Sequence, residues 1–118
     1  GDAEAPKAEV AALGVKVGYH GADMSKPGDI AALVAYADAE FGGIDILVNN
    51  ASAISLTPTT ATPMKRFDLM FGVNVRGTFL TCKNIAPIMK QTNGGKGYGR
   101  IVNIASVAGK EGNPKMSP

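Results

Sequence analysis

The chain has 118 residues, 45% of them hydrophobic, and a formal net charge of +2, which is enough for one domain with a core. That charge is too small to argue for nucleic acid or an acidic membrane, and no apolar run approaches the roughly 20 residues of a membrane span. The single cysteine, Cys82, excludes an internal disulfide and suits a reducing, cytoplasmic compartment.

Gly1 to Lys7 does not read as a signal peptide. Ala3 to Leu13 is rich in Ala and Glu and stops at Gly14, which predicts the end of a helix. Val15 to His20 alternates and predicts a strand that finishes in Gly21-Ala22-Asp23-Met24-Ser25. Ser25 is a suitable N-cap and Pro27 suits a first helical turn. Ile30, Leu33, Val34, Ala37 and Phe41 then fall at helical spacing, and Gly42-Gly43 ends that helix. Ile44 to Asn49 is a short branched apolar run, which predicts a strand buried on both faces.

Ala53 to Ala61 reads as a Thr/Ser-rich loop, and Thr62-Pro63 as the N-cap and first residue of a further helix. The apolar face of that helix is expected to run through Phe67, Phe71, Val75, Thr78, Phe79, Cys82, Ile85, Ala86 and Met89. Gly72 and Gly77 each cost it about 1 kcal/mol relative to Ala, and Pro87 is expected to kink it. Asn93 to Gly99 reads as a glycine-rich loop, Gly99 to Ala105 as a third strand ending at Ser106, and Val107 to Pro118 as loop. The alternation of helix and strand predicts an α/β fold with right-handed crossovers and a parallel sheet of about three strands.

In such a sheet Asp23, Asn49-Asn50 and Ser106 come to one edge, where parallel sheets bind ligands. Each alone is an ordinary turn former. Asn49 and Asn50 are costly to bury without hydrogen bonds, so they tie neighbouring loops, hold a ligand, or do both. Asn74 falls on or beside the buried helix face and is expected to bond a strand end near Ser106 or Asn49-Asn50, directly or through water. Gly95-x-Gly97-x-Gly99 precedes a strand instead of opening a helix, so it is read as a surface turn and not a phosphate loop. His20 reads as strand-end packing, Cys82 as a small core hydrophobe, and no Cys/His cluster suggests a metal.

These residues resemble the short-chain dehydrogenases/reductases. Asp23-Met24-Ser25 is similar to that family's acidic turn, which contacts adenine. Asn49-Asn50-Ala51-Ser52 resembles its Asn-Asn-Ala-Gly turn, with Ser52 in place of the usual Gly. Asn74, in Val73-Asn74-Val75-Arg76-Gly77, matches the asparagine of the catalytic tetrad, and Gly99 to Ser106 resembles the fifth strand and its catalytic serine. The resemblance covers the whole chain. Gly1 to Asn50 resembles bacterial 3-hydroxybutyrate dehydrogenases, Ala51 to Cys82 looks closer to hydroxysteroid-dehydrogenase-like members, and Gly99 to Pro118 looks like bacterial acyl-carrier-protein reductases.

The resemblance implies a partial Rossmann-type sheet and hydride transfer between NAD or NADP and an alcohol or ketone carbon. The family's N-terminal Gly-rich turn has no counterpart in residues 1–118, and its Tyr-x-x-x-Lys has its expected place just past Pro118. One partial dinucleotide-binding domain, inactive alone, is therefore expected. Ser106 would hydrogen-bond the substrate oxygen, Asn74 would order a water, and Asp23, Met24, Asn49, Asn50, Ala51 and Ser52 would seat the adenosine half. The resemblance further implies a homo-oligomer without membrane or nucleic-acid partners. The alternatives are a non-catalytic fragment or mosaic scaffold piece, and a flavodoxin-type nucleotide module, which needs a phosphate turn the sequence lacks. In the doubly wound order 3-2-1-4-5-6 two places fall between Val15–His20 and Ile44–Asn49. Either the first of these segments moves across to pair with the second, or another chain fills the gap.

Overall fold

A computed structural model describes residues 3–95 and 98–106. The elements in chain order are α1 (Glu4–Ala11), α2 (Pro27–Phe41), β1 (Ile46–Asn49), a 3-10 turn (Thr59–Ala61), α3 (Met64–Phe71), a π-helical turn (Gly72–Gly77), α4 (Thr78–Gly95) and β2 (Arg100–Asn103). The expected α/β class holds. The loop expected over Val107–Pro118, and Gly97 of the glycine-rich turn, lie outside the described residues.

β1 and β2 pair in parallel, with Ile46 opposite Arg100 and Asn49 opposite Asn103. The Ile104 amide also donates to the Asn49 carbonyl at 3.0 Å, carrying the ladder past the strand ends. α2 and α4 pack against each other and α4 against β1. The core between them consists of Ile30, Val34, Ile85 and Met89, with Ile44, Leu47 and Leu80 packed alongside. Burying side chains of this kind stabilises by about 1.5–3 kcal/mol each. α2 stops where its periodicity stops: Gly42 caps it at φ 72°, a left-handed conformation that a Cβ disfavours.

Several expectations are corrected. The sheet has two strands, not three, among the described residues. Val15–His20 is extended but makes no ladder. It lies along the second half of α2, where the Lys16 ammonium donates to the Glu40 carbonyl at 2.6 Å and the His20 ring meets Tyr36 at 5.5 Å. A segment counts as a strand only when a neighbour pairs with it, and β1 faces β2 instead.

β1 is not buried on both faces: Ile46 is 64% and Val48 53% exposed. The α2–α4 layer covers the Leu47 side, so alternation leaves the other side bare. Ser25 does not cap α2; Lys26 occupies the N-cap position. Thr62 does not cap α3 either, because Pro63 takes that position and the Thr62 hydroxyl meets Thr57 at 2.6 Å.

Finally, Phe71, Val75 and Phe79 point outward, with Phe79 63% exposed. The expected apolar face assumed an unbroken α-helix, and the π turn breaks it. The inward stripe of α4 is Thr81, Ile85 and Met89. α4 itself runs through Pro87 and on to Gly95, three residues into the expected loop.

Candidate functional site

Because β1 and β2 are parallel and in register, Asn49–Ser52 and the segment leading to Ser106 leave the sheet at the same edge. The acidic turn reaches that edge by packing on the π turn. A Cβ on Gly77 would stand 2.7 Å from the Met24 carbonyl oxygen, so only glycine allows the two backbones this close. A cleft of about 120 Å3 results, lined by Met24, Asn49, Asn50, Ala51, Val73 and Gly77 among others. It is well below the 300–1,000 Å3 of a pocket for a whole small molecule, so it suits one end of a larger ligand.

Both ends of the Asn49 side-chain amide are engaged by protein. Its Nδ2 donates to Asn103 Oδ1 at 2.9 Å, and its Oδ1 accepts from the Thr81 hydroxyl at 2.7 Å. One amide thus ties β1 to β2 and to α4. Thr81, only 3% exposed, was not singled out from sequence. The available signal was its helical spacing with Ile85 and Met89, which puts a hydroxyl on the buried face in need of a partner. Asn50, Ala51 and Ser52 are exposed, and so is Ser106.

Asn74 departs from expectation. It is exposed, and it bonds neither Ser106 nor Asn49-Asn50. Its Oδ1 accepts from the Ala53 amide at 2.9 Å and its Nδ2 donates to the Ala53 carbonyl at 2.8 Å. The π turn carries Asn74 off the buried face, and there the side chain closes both backbone groups of a residue in the loop after β1. Among the described residues, one Nδ2 proton and one Oδ1 lone pair remain for a water or ligand.

Asp23 has a built environment. Its Oδ1 accepts from the Ser25 amide at 2.9 Å and from the Ser25 hydroxyl at 2.6 Å. The Asp23 amide in turn donates to Asp29 at 2.9 Å. The Ser25 hydroxyl, then the Ser25 amide, hold the Asp23 carboxyl below the ordinary aspartate value, with Lys26 adding a smaller pull. The charged form is the one these donors favour. A lowered folded-state pKa stabilises the turn above the unfolded aspartate pKa, and that contribution is lost as pH falls through the folded pKa. Ser25→Ala is expected to raise the Asp23 pKa toward its ordinary value. Carboxyl NMR titration checks this, and an unchanged midpoint would count against the hydroxyl as the main cause.

Among the described residues no group of His, Cys, Asp and Glu is arranged to hold a metal, and no helix is long and apolar enough to cross a membrane.

The profile of the short chain dehydrogenase family matches residues 1–118. The chain is 45% identical over 111 residues to a D-beta-hydroxybutyrate dehydrogenase of Cupriavidus necator, a match covering 92% of this chain and 42% of that protein. It is 51% identical over 97 residues to the human hydroxysteroid dehydrogenase-like protein 2, covering 82% of this chain and 22% of that one. Among solved structures it is similar to a metagenomic short-chain oxidoreductase in complex with NADP (TM-score 0.85, 30% identity, 96% of this chain and 50% of that chain). It is equally similar to an NAD+-bound xylitol dehydrogenase (TM-score 0.85, 33% identity, 96% of this chain and 42% of that chain). The chain therefore spans half or less of the length of these relatives.

Proposed function

The chain belongs to the short-chain dehydrogenase family, and from that premise we propose that residues 1–118 are one partial dinucleotide-binding domain of an NAD(P)-dependent oxidoreductase acting on an alcohol or ketone. The observation that carries this reading is the meeting of Met24 with Asn49–Ala51 around one small cleft. The NADP- and NAD+-bound neighbours support the same cofactor class.

The fit to the cofactor extends to its adenosine end. The cleft is lined largely by apolar side chains and edged by the two turns, and its size suits a ring rather than a whole dinucleotide. Asp23 and Met24 would hold the adenosine from one side, and Asn49, Asn50, Ala51 and Ser52 from the other. When bound, the nicotinamide supplies or accepts the hydride. Ser106 would donate a hydrogen bond to the substrate oxygen as charge develops there. Asn74, anchored on Ala53, would use its remaining proton or lone pair to order a water in the proton path. Residues 1–118 contain no Tyr-x-x-x-Lys, the family's general acid/base pair.

The substrate class we propose is a short 3-hydroxy acid or its ketone, supported by the relative whose name specifies D-beta-hydroxybutyrate. A homo-oligomer is proposed from the outward stripe of Phe71, Val75 and Phe79. A reducing cytoplasmic location is supported by Cys82, a half-buried free thiol.

The test is a chimera in which this chain replaces the matching segment of the Cupriavidus necator relative. It is expected to oxidise 3-hydroxybutyrate or another short alcohol with NAD+ or NADP+, while the polypeptide 1–118 alone gives no turnover. A folded chimera inactive across a panel of alcohols and ketones would reject the enzymatic reading. Turnover by the 118-residue chain alone would reject the assignment of the general acid to a segment outside it.

A further inference from the structure

We propose that Arg76 is a positioning residue for the nucleotide end of the site: it fixes the Met24–Ser25 turn, and through Ser25 the Asp23 carboxylate. The inference rests on the dinucleotide reading above and adds a residue to it.

The Arg76 guanidinium donates from Nη2 to the Ser25 carbonyl at 3.0 Å. Ser25 is then held at every polar atom: its carbonyl by Arg76, and its amide and hydroxyl by Asp23 Oδ1 at 2.9 and 2.6 Å. Arg76 therefore orients the carboxylate without touching it.

An exposed arginine on a single carbonyl is often incidental, but both glycines bounding the π turn are fitted to this arrangement. A Cβ on Gly72 would stand 3.1 Å from Arg76 Nη2 and 3.8 Å from the Ser25 Cβ, so the bare backbone there clears the path of the guanidinium. A Cβ on Gly77 would stand 2.7 Å from the Met24 carbonyl. The π turn meets the acidic turn at three successive points of contact, Gly72, Arg76 and Gly77. A further polar contact of the π turn, Asn74 with Ala53, fixes the loop on the far side of the cleft.

The experiment titrates the 15N-labelled chain with AMP, as the probe of the adenosine end, and monitors the amides of Asp23, Met24 and Ser25 by NMR. Arg76→Gln is expected to weaken AMP about tenfold, and Arg76→Lys, which keeps one charged donor, about threefold. The amide spectrum of β1 and α4 is expected to stay unchanged in both. Unchanged AMP affinity in Arg76→Gln would overturn the positioning role and leave the dinucleotide reading intact. Should Arg76→Gln fail to fold, Arg76→Met, which keeps the stem and removes every donor, decides, because wild-type affinity there overturns the role equally. Absence of any AMP response in the wild-type chain would instead overturn the dinucleotide reading itself.

Discussion

Replacing Ser106 with alanine in the active chimera is expected to lower kcat by roughly 10²–10³, the usual effect of losing one preorganised donor to a developing oxyanion. The expectation rests on how the chain arrives at Ser106. β2 is locked to β1 in register up to Asn103, and the Ile104 amide extends the pairing to the Asn49 carbonyl. Ser106 comes within two residues of that bond, at the edge that carries the Asn49–Ser52 turn. A hydroxyl held that close to a paired strand reorganises little when charge appears, so its loss should fall on kcat and leave KM for the cofactor nearly unchanged. Steady-state kinetics measure both. Turnover within a fewfold of the parent would remove Ser106 from the chemistry.

The second large effect is on stability. Gly77→Ala would ordinarily be a gain in a helix, by about 1 kcal/mol from propensity. Here the new Cβ meets the Met24 carbonyl oxygen at 2.7 Å and the Gly72 carbonyl oxygen at 3.2 Å. Both are backbone atoms that cannot swing aside, and overpacking of this kind costs about 1–3 kcal/mol. The clash should win, with a net loss of up to about 2 kcal/mol read as a lower urea midpoint. Gly28 is the control. It sits in the first turn of α2 with no atom within 4 Å of its would-be Cβ, so Gly28→Ala should be neutral or stabilising. Equal midpoints for the two variants would show that the acidic turn yields freely to the π turn.

Local signals made much of this legible in the sequence. The 3.6-residue spacing from Ile30 to Phe41 and the Gly42 stop fix α2 almost to the residue. The runs at Ile44–Asn49 and Gly99–Ala105 marked both strands, which pair over Ile46–Asn49 and Arg100–Asn103, and the intervening helix implied their parallel pairing. The failures were the features that depend on a partner or on helix type. Val15–His20 has a strand's alternation, but pairing is a property of two segments. Ser25 has the chemistry of an N-cap, yet Asp23 takes both its amide and hydroxyl. Asn74 and the Phe71–Phe79 stripe were misread for one shared reason. Periodicity arguments assume 3.6 residues per turn, and nothing in Gly72–Gly77 except two spaced glycines marks the change to a wider turn.

That wider turn also sets a phase. Met70 and Thr81 are eleven residues apart, and on an ideal α-helix they would lie on one face, only about 20° out of line after three full turns. A π turn takes up about one extra residue, which rotates α4 by about 100° relative to α3. Met70 is accordingly buried without joining the cluster of Ile30, Val34, Ile85 and Met89. Deleting a single residue between Gly72 and Gly77 would therefore act like turning a dial. All 18 residues of α4 would rotate together, carrying Thr81 away from Asn49 and Ile85 away from α2. The length of this short segment is thus constrained far more tightly than its composition suggests.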